Sequence, residues 1–248
     1  MKIKVSSFNL RCNTPHDQTL AWPYRREAVF SFLKTENYDL IGFQEVTPEM
    51  LIDLKENLLE YHFFGKGRDQ HGEAVIIAVN RNYEVLDFDT FWLTETPWVE
   101  SKLLKSAFNR IANYVVVKME SKVIVLFNTH LDYQDGDTIY QQAEYLYHMI
   151  KRIQDKYNAH LILTGDFNQH PIDRAIRFLS TQFDHPFMNH QNLGLTYHGY
   201  SKEKEGLPID YIFYDLSFKM NSFSIRHDLK YDIFLSDHYP IEAEFSLS

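Results

Sequence analysis

The strongest constraint on the fold is a set of six short segments in which an acid, an amide or an imidazole adjoins a run of residues typical of a β-strand. The segments are spread over the whole chain, at residues 7–11, 43–45, 128–132, 165–168, 209–211 and 236–238. Scaffolds of alternating strands and helices present reactive side chains at strand ends, because the loops there share one rim. The segments therefore predict one site assembled from distant parts of the chain.

Between these segments, β-like and helix-like runs alternate. Strands are predicted near residues 3–8, 39–43, 74–79, 83–91, 114–119, 123–127, 160–163, 209–214, 219–225 and 241–245. Helices are predicted near residues 22–33, 48–59, 138–157 and 173–179. The third helix is the clearest, because apolar residues recur along it at steps of four and three. Strand runs flanked by helix–strand pairs predict two packed sheets with helices outside, in a single domain over residues 1–248.

The charge balance is acidic, with 25 Lys and Arg against 34 Asp and Glu, a formal charge of −9. Proteins that grip long nucleic acid through its backbone carry a basic footprint, so tight non-specific binding to a polymer is not expected. The single cysteine, Cys12, excludes an internal disulfide and a cysteine-based zinc site. Residues 1–5 lack the apolar core of a signal peptide, and no membrane span is predicted, so a cytoplasmic setting is expected.

Carboxylates and amides dominate the six segments, and thiols are missing from them. Glu45 and Asp166 each follow a short apolar run, and Asn9 offers an amide oxygen. Such hard oxygen ligands favour Mg²⁺ or Mn²⁺, and these cations in turn bind phosphate oxygens well. His130 and His238 add a proton donor or a cationic group for a developing negative charge.

These motifs resemble the endonuclease/exonuclease/phosphatase superfamily, which includes pancreatic deoxyribonuclease and the inositol-polyphosphate phosphatases. Residues 165–168 (Gly-Asp-Phe-Asn) together with 236–238 (Ser-Asp-His) are the most specific of the motifs, and the set extends from Asn9 to His238. Residues 90–97 and 196–199 are similar to a bacterial branch of the superfamily. The resemblance implies a four-layer α/β sandwich, two packed mixed β-sheets flanked by helices. It also implies metal-dependent, in-line attack of water on a phosphoester.

The resemblance further implies a metal site and a set of catalytic residues beside it. Glu45 would be the principal metal ligand, assisted by Asn9 and, in some members of the superfamily, by Asp237. Some DNA-repair members carry an extra acid two residues after the first Asn. Here that position is Arg11, which weakens any two-metal site and adds a candidate phosphate contact.

The catalytic residues implied by the resemblance surround the phosphoryl group. Asp166 orients or deprotonates the attacking water, and Asn168 helps to hold the nucleophile and the phosphate. His238, with Asp210 as its carboxylate partner, stabilises the developing charge together with His130.

Arg11, Arg110 and His198 are candidate substrate or phosphate contacts, although a surface or packing role stays open for each. The sequence thus predicts a hydrolase whose substrate is a small organic phosphate or a short nucleic acid. The alternative is a catalytically silent binding module that retains the fold as a scaffold.

Overall fold

Two β-sheets lie face to face in the computed structural model, which describes residues 1–70, 72–188, 191–230 and 232–247. The first sheet contains β1 (Lys2–Asn9), β2 (Leu40–Val46), β3 (Tyr61–Phe64), β4 (Ala74–Asn80), β10 (Phe218–Ile225) and β13 (Ile241–Leu247). The second contains β5 (Glu84–Trp92), β6 (Ile111–Met119), β7 (Lys122–His130), β8 (His160–Asp166) and β9 (Asp210–Tyr214). A separate hairpin pairs β11 (Leu229–Lys230) with β12 (Ile233–Phe234).

The helices are α1 (Trp22–Glu36), α2 (Pro48–Asn57), α3 (Gly136–Tyr157) and α4 (Arg174–Ser180), and a 3-10 segment spans Pro15–Leu20. In the first sheet the strand order is β10-β13-β1-β2-β4-β3, and in the second it is β5-β6-β7-β8-β9. Both sheets are mixed, because β1 pairs with β2 and β7 with β8 in parallel while the remaining pairs are antiparallel. No helix in the described part of the chain is long and apolar enough to cross a membrane.

Three apolar cores separate the four layers. The inner faces of the two sheets meet in one core, which includes Val5, Ile77, Val115 and Leu126. A second core fills the space between the first sheet and helices α1 and α2, and a third lies between the second sheet and helices α3 and α4. Strands buried on both faces read as nearly continuous apolar runs, as β4 does. The predicted four-layer sandwich is confirmed.

Local signals set most of the element boundaries. Helix α3 begins after Asp135, whose carboxylate accepts a hydrogen bond from the N–H of Thr138, and it ends at Asn158 in the left-handed conformation. The sequence predicted the core of this helix but placed its start two residues late. Strand β3 was not predicted, because four residues are too few to establish an alternating pattern.

A polar cluster lies between the sheets where β2 crosses β7 and β8. Asn128 Oδ1 accepts hydrogen bonds from Gln44 Nε2 at 2.7 Å and from Thr164 Oγ1 at 3.2 Å. Asn128 Nδ2 in turn donates to the carbonyl of Phe43 at 2.8 Å. All four residues are buried, so these bonds fix the two sheets relative to each other directly below the strand ends.

Gly42 allows this close approach, and replacing it should destabilise the fold. A Cβ added at Gly42 would lie 2.1 Å from Thr164 Oγ1 and 2.7 Å from Asn128 Oδ1. We therefore expect Gly42→Ala to lower the free energy of unfolding by about 2–3 kcal/mol, as overpacked cores do. Gly136→Ala is the matched control, since a Cβ there meets nothing within 4 Å. Urea unfolding measures both variants, and equal midpoints would contradict this account of the crossing.

Candidate active site

The predicted site residues meet at one end of the sandwich. The strand ends that converge there carry Asn9 on β1, Glu45 on β2, His130 on β7, Asp166 on β8 and Asp210 on β9, with Asp237 and His238 just before β13. The two parallel pairs, β1–β2 and β7–β8, bring their carboxyl ends to this rim. Several strands extend further than predicted, so Glu45, His130 and Asp166 lie in the last two residues of their strands.

Asn9 joins the two sheets at the site. Its Nδ2 donates to Glu45 Oε1 at 3.1 Å and to Asp166 Oδ2 at 2.9 Å. Its Oδ1 accepts the backbone N–H of Arg11 at 2.9 Å, and no other described residue donates to that oxygen, which can hold a second bond. Asn9 is completely buried, so the two carboxylates are held at a fixed separation.

Glu45 owes its direction to an irregularity in β2. The register between β2 and β4 shifts between Phe43 and Val46, and Glu45 has a φ of 60°. Bulges of this kind change the direction of a side chain. A glutamate with a left-handed backbone conformation is strained, so it persists only where neighbouring groups stabilise it. Here the backbone N–H of Cys12 donates to Glu45 Oε2 at 3.0 Å.

Two imidazoles flank Asp166. His238 Nδ1 forms a 2.9 Å hydrogen bond with Asp210 Oδ2, and its Nε2 lies 3.7 Å from Asp166 Oδ2. His130 Nε2 lies 3.6 Å from the same carboxylate oxygen. The other oxygen of Asp166 accepts the backbone N–H of Asn168 at 2.9 Å. The carboxylate is thus oriented on both sides.

The ionisation of these groups follows from burial and from their neighbours. Burial disfavours the charged form of Glu45, yet the N–H of Cys12, the charge of His238 and the amide of Asn9 favour it and lower the pKa of Glu45. Burial and the charge of Asp210 raise the pKa of Asp166 to about 7. For His238 the burial effect is outweighed by Asp210 and Asp166, which raise its pKa to about 10.

The pKa of His130 shifts in the opposite direction to that of His238. Burial and the charge of Arg110 lower the pKa of His130 well below its ordinary value. His130 is therefore the neutral imidazole of the site and His238 the cationic one.

These side chains border a cleft of about 470 Å³. Of the predicted residues, the cleft is lined by Arg11, Glu45, Arg110, His130, Asp166, Asn168, Asp237 and His238. Asn9 and Asp210 lie behind it, in contact with Glu45 and His238 respectively. The sequence analysis missed further lining residues, among them Arg68, Glu73, Phe108, Tyr133 and Tyr197. Only Tyr197 carried a signal, because it lies in the segment 196–199 shared with the bacterial branch.

The two predicted arginine contacts both reach the cleft. Arg11 donates to both carboxylate oxygens of Asp17 at 3.0 and 3.1 Å, and its guanidinium lies 3.7 Å from Asp237 and 4.0 Å from Glu45. Arg110 is buried, and its Nε lies 3.6 Å from Asp132 without a hydrogen-bond partner in the described part of the chain.

His198 lies elsewhere. Its ring stacks on Tyr239, with centroids 4.0 Å apart, and its Nδ1 pairs with the carbonyl oxygen of Ser201 at 3.0 Å. Burial lowers the pKa of His198 to about 4, which keeps the ring neutral. His198 does not line the cleft described above, so it supports the segment before β13 from behind.

Arg25 of α1 fixes the loop that carries Arg11. Its guanidinium donates to the backbone carbonyls of Leu20, Leu235 and Arg11 at 2.9, 2.9 and 2.5 Å. The Leu235 carbonyl lies just before Asp237 and His238, so one buried side chain ties together two of the segments that build the site.

The donor set fits a hard divalent cation. Glu45 is ionised, and Asp237 faces the same guanidinium as Glu45. The amide oxygen of Asn9 accepts one hydrogen bond from the described part of the chain and has a second lone pair. The nearby thiol is not a competing ligand, because burial and the charge of Glu45 raise the pKa of Cys12 to about 12. A second buried group, Asp166, Asp210 and His238, has ligand atoms within 4.8 Å of one another and could also hold a metal.

Known proteins share the sequence family and the fold of this chain. A family model described as the endonuclease/exonuclease/phosphatase family matches residues 6–238. A solved family protein from Bacteroides vulgatus is 28% identical, with a TM-score of 0.90 over 100% of both chains. A mannosyl-6-phosphatase from Bacteroides thetaiotaomicron is 24% identical, with a TM-score of 0.92 over 99% of this chain and 100% of that one. The catalytic domain of human Nocturnin, solved with a bound sulfate anion, is 17% identical, with a TM-score of 0.80 over 100% of this chain and 95% of that one.

No curated protein matches the chain. Members of the matched family are hydrolases that act on phosphoesters, and these enzymes generally use divalent metals. Since the match covers nearly all of the sequence, the chain belongs to the endonuclease/exonuclease/phosphatase family.

Proposed function

We propose that the protein is a divalent-metal-dependent hydrolase of phosphoester bonds, of the nuclease or phosphatase type. The observation that carries the proposal is the junction at Asn9, which holds Glu45 and Asp166 from different sheets in one cleft beside His238. Buried charges of this kind cost free energy and contribute nothing to a scaffold, so their retention favours catalysis.

Glu45, Asn9 and Asp237 would hold the cation, for which Mg²⁺ or Mn²⁺ is the suitable choice. When bound, it supplies Lewis-acid polarisation of a phosphoryl oxygen. We favour this set over Asp166, Asp210 and His238 because a histidine with a pKa of about 10 keeps protons on both nitrogens and has no lone pair to donate.

Asp166 would take the proton of the attacking water. One of its oxygens is fixed by the N–H of Asn168, and the other faces the cleft between the two imidazoles. A carboxylate whose pKa is about 7 is a competent base near neutral pH. Asn168 is held in turn, because its Nδ2 donates to the carbonyl of Leu131 at 3.0 Å.

Charge on the phosphoryl group would be stabilised from two sides. His238, kept cationic and oriented by Asp210, would donate from Nε2. Neutral His130 and the guanidinium of Arg110 would contact the group from the other side, and Arg11 would do so from the Asp237 side. Arginine suits this role because its planar fork matches phosphate geometry.

The substrate would be a small organic phosphate or a short nucleic acid. The cleft volume of about 470 Å³ lies within the range of small-molecule sites, roughly 300–1,000 Å³. The net charge of −9 disfavours a long polyanion. The phosphatase neighbour from Bacteroides thetaiotaomicron supports the same choice.

A substrate panel tests the proposal. Phosphomonoesters, inositol phosphates and oligonucleotides are incubated with Mg²⁺ or Mn²⁺, with EDTA as the control. We expect metal-dependent release of product from at least one class and none in EDTA. Hydrolysis that persists in EDTA, or none with either metal, would contradict the proposal.

The pH dependence should have two limbs. Activity should rise as Asp166 ionises through a pKa of about 7, and it should fall as His238 loses its proton towards pH 10. A bound cation favours ionised Asp166, so it moves the acidic limb downwards. Asp210→Asn removes the carboxylate that raises the pKa of His238, and should move the alkaline limb to lower pH. A pH–rate profile of both proteins decides this, and an unmoved alkaline limb would argue against the assigned pair.

A further inference from the structure

One wall of the cleft is built from residues that the proposed mechanism does not use. Arg68 and Glu73 form an ion pair, with Nη1 and Oε2 2.8 Å apart. The Arg68 guanidinium lies 4.0 Å from the ring centroid of Phe108, and the Phe108 and Tyr133 rings are 6.5 Å apart. Both rings are partly open to solvent, with 40% of Phe108 and 54% of Tyr133 exposed. We call these four residues the aromatic–ion-pair wall.

Hydrogen bonds hold the backbone of the ion-pair half of the wall, at Arg68 and Glu73, in place. The indole N–H of Trp92 donates to the carbonyl of Arg68 at 2.9 Å, and the N–H of Arg68 donates to the carbonyl of Glu73 at 3.0 Å. Gly67 and Ala74 pair as an isolated bridge at the base of the same loop. A binding surface held in place in this way does not have to be ordered by its ligand, which favours affinity.

The position of this wall suits the leaving group. The wall lines the same cleft as Glu45, His130 and Asp166. These three residues are proposed to act at the phosphoryl group and its attacking water. The wall is therefore the part of the cleft that is left for the alcohol half of the ester.

The charges of this wall favour an uncharged ligand. Arg68 is matched by Glu73 at 2.8 Å, and the neighbouring Arg110 faces the buried carboxylate of Asp132 at 3.6 Å. No excess positive charge is therefore left in these two pairs for a second phosphate. A hydroxyl group, in contrast, can donate to Glu73 and accept from Arg68 at the same time.

We propose that Arg68, Glu73, Phe108 and Tyr133 form a subsite for the alcohol half of the substrate, and that this alcohol is an uncharged, polyhydroxylated ring, as in a monosaccharide monophosphate. The inference rests on the proposed hydrolase function. The hydroxyls of the ring bind the ion pair, while its apolar C–H face packs on the aromatic side chains. Hydrolysis breaks the P–O bond to the ring, and the released alcohol takes up a proton.

The wild-type protein tests the ligand class. Its kcat/KM is measured for a hexose 6-phosphate, a hexose bisphosphate, glycerol 3-phosphate and a nucleoside 5′-monophosphate. We expect the hexose monophosphate to exceed each of the others by about tenfold or more, because only its alcohol offers both hydroxyls to the ion pair and an uncharged apolar face to Phe108 and Tyr133. A preference for the bisphosphate or for the nucleotide would overturn the proposal.

Two variants test the subsite itself. Glu73→Gln and Phe108→Leu should lower kcat/KM for the hexose phosphate about tenfold, and for glycerol 3-phosphate by less than about threefold. Their matched controls are Glu49→Gln and Phe88→Leu, which lie outside the cleft. Glu49 is an exposed residue of α2, and Phe88 of β5 is 54% exposed. Equal losses on both substrates would overturn the subsite and leave the hydrolase intact. If the wild type hydrolysed no phosphoester at all, the proposed function itself would fail, and the subsite with it.

Discussion

Asp166→Asn should abolish most of the turnover while leaving the fold intact. Replacing the carboxylate by an amide removes the proposed base, and we expect kcat to fall about 10³-fold, within the range of general-base contributions. The amide is nearly isosteric and keeps an oxygen for the N–H of Asn168, although its Nδ2 replaces the oxygen that accepts from Asn9, so that one hydrogen bond is lost. Steady-state kinetics at saturating metal measures the loss.

The same variant should be more stable than the wild type in metal-free buffer at alkaline pH. Burial and Asp210 raise the folded-state pKa of Asp166 to about 7. The wild type therefore carries a penalty that begins above the unfolded pKa of about 4 and grows until the pH passes the folded value. At pH 8 we expect Asp166→Asn to gain about 1–3 kcal/mol in the free energy of unfolding from relief of this penalty. The gain is limited, because the bond from Asn9 is lost and His238 loses part of its anionic surroundings. Near pH 4 the gain should vanish.

A rise in stability together with a loss of turnover is a signature that a structural carboxylate would not give. Substitution of a residue that merely supports the fold would lower both the stability and the turnover of the protein. Unchanged turnover in Asp166→Asn would therefore remove this residue from the mechanism.

Glu45→Gln should uncouple the protein from its metal. The carboxylate is an anionic ligand of the proposed cation site that stays ionised, since its pKa is held below the usual range. We expect kcat/KM to fall at least about 100-fold, because even residues that only orient metal ligands contribute 10–100-fold. The metal concentration for half-maximal activity should also rise. Glu49→Gln, an exposed glutamate on α2, is the matched control and should behave as the wild type.

This variant also separates the enzyme from the alternative of a silent scaffold. A scaffold has no turnover to lose, and its metal affinity would not depend on Glu45. If a metal titration followed by calorimetry showed the same affinity in Glu45→Gln as in the wild type, the cation would have to lie elsewhere, with Asp166, Asp210 and His238 as the remaining candidate set.

The layered fold could be predicted because its signals are local. Buried strands such as β4 read as apolar runs, and α3 as a stripe of apolar residues at helical spacing. The boundaries of the strands and helices were harder to predict from the sequence. Glu45 was expected after its strand but lies within β2, because the bulge that carries it depends on pairing with β4, about thirty residues away.

The site was predictable only in part. Residues such as Asp166 and His238 stand in short specific motifs, and the structure brings them into one cleft. Arg68 and Glu73 carry no such motif: they reach the cleft through a loop whose path is set by hydrogen bonds to Trp92 and across the loop. His198 shows the reverse, a residue in a shared motif whose side chain packs behind the site.

If distant strand ends form one site in which water attacks phosphorus, the oxygen of that water must end in the phosphate. Hydrolysis in ¹⁸O-labelled water, with the best substrate of the panel and saturating Mg²⁺, follows that oxygen. We expect the label in the released phosphate, and a much slower appearance of label with Asp166→Asn. Label in the alcohol product, or undiminished labelling of phosphate in that variant, would contradict this mechanism.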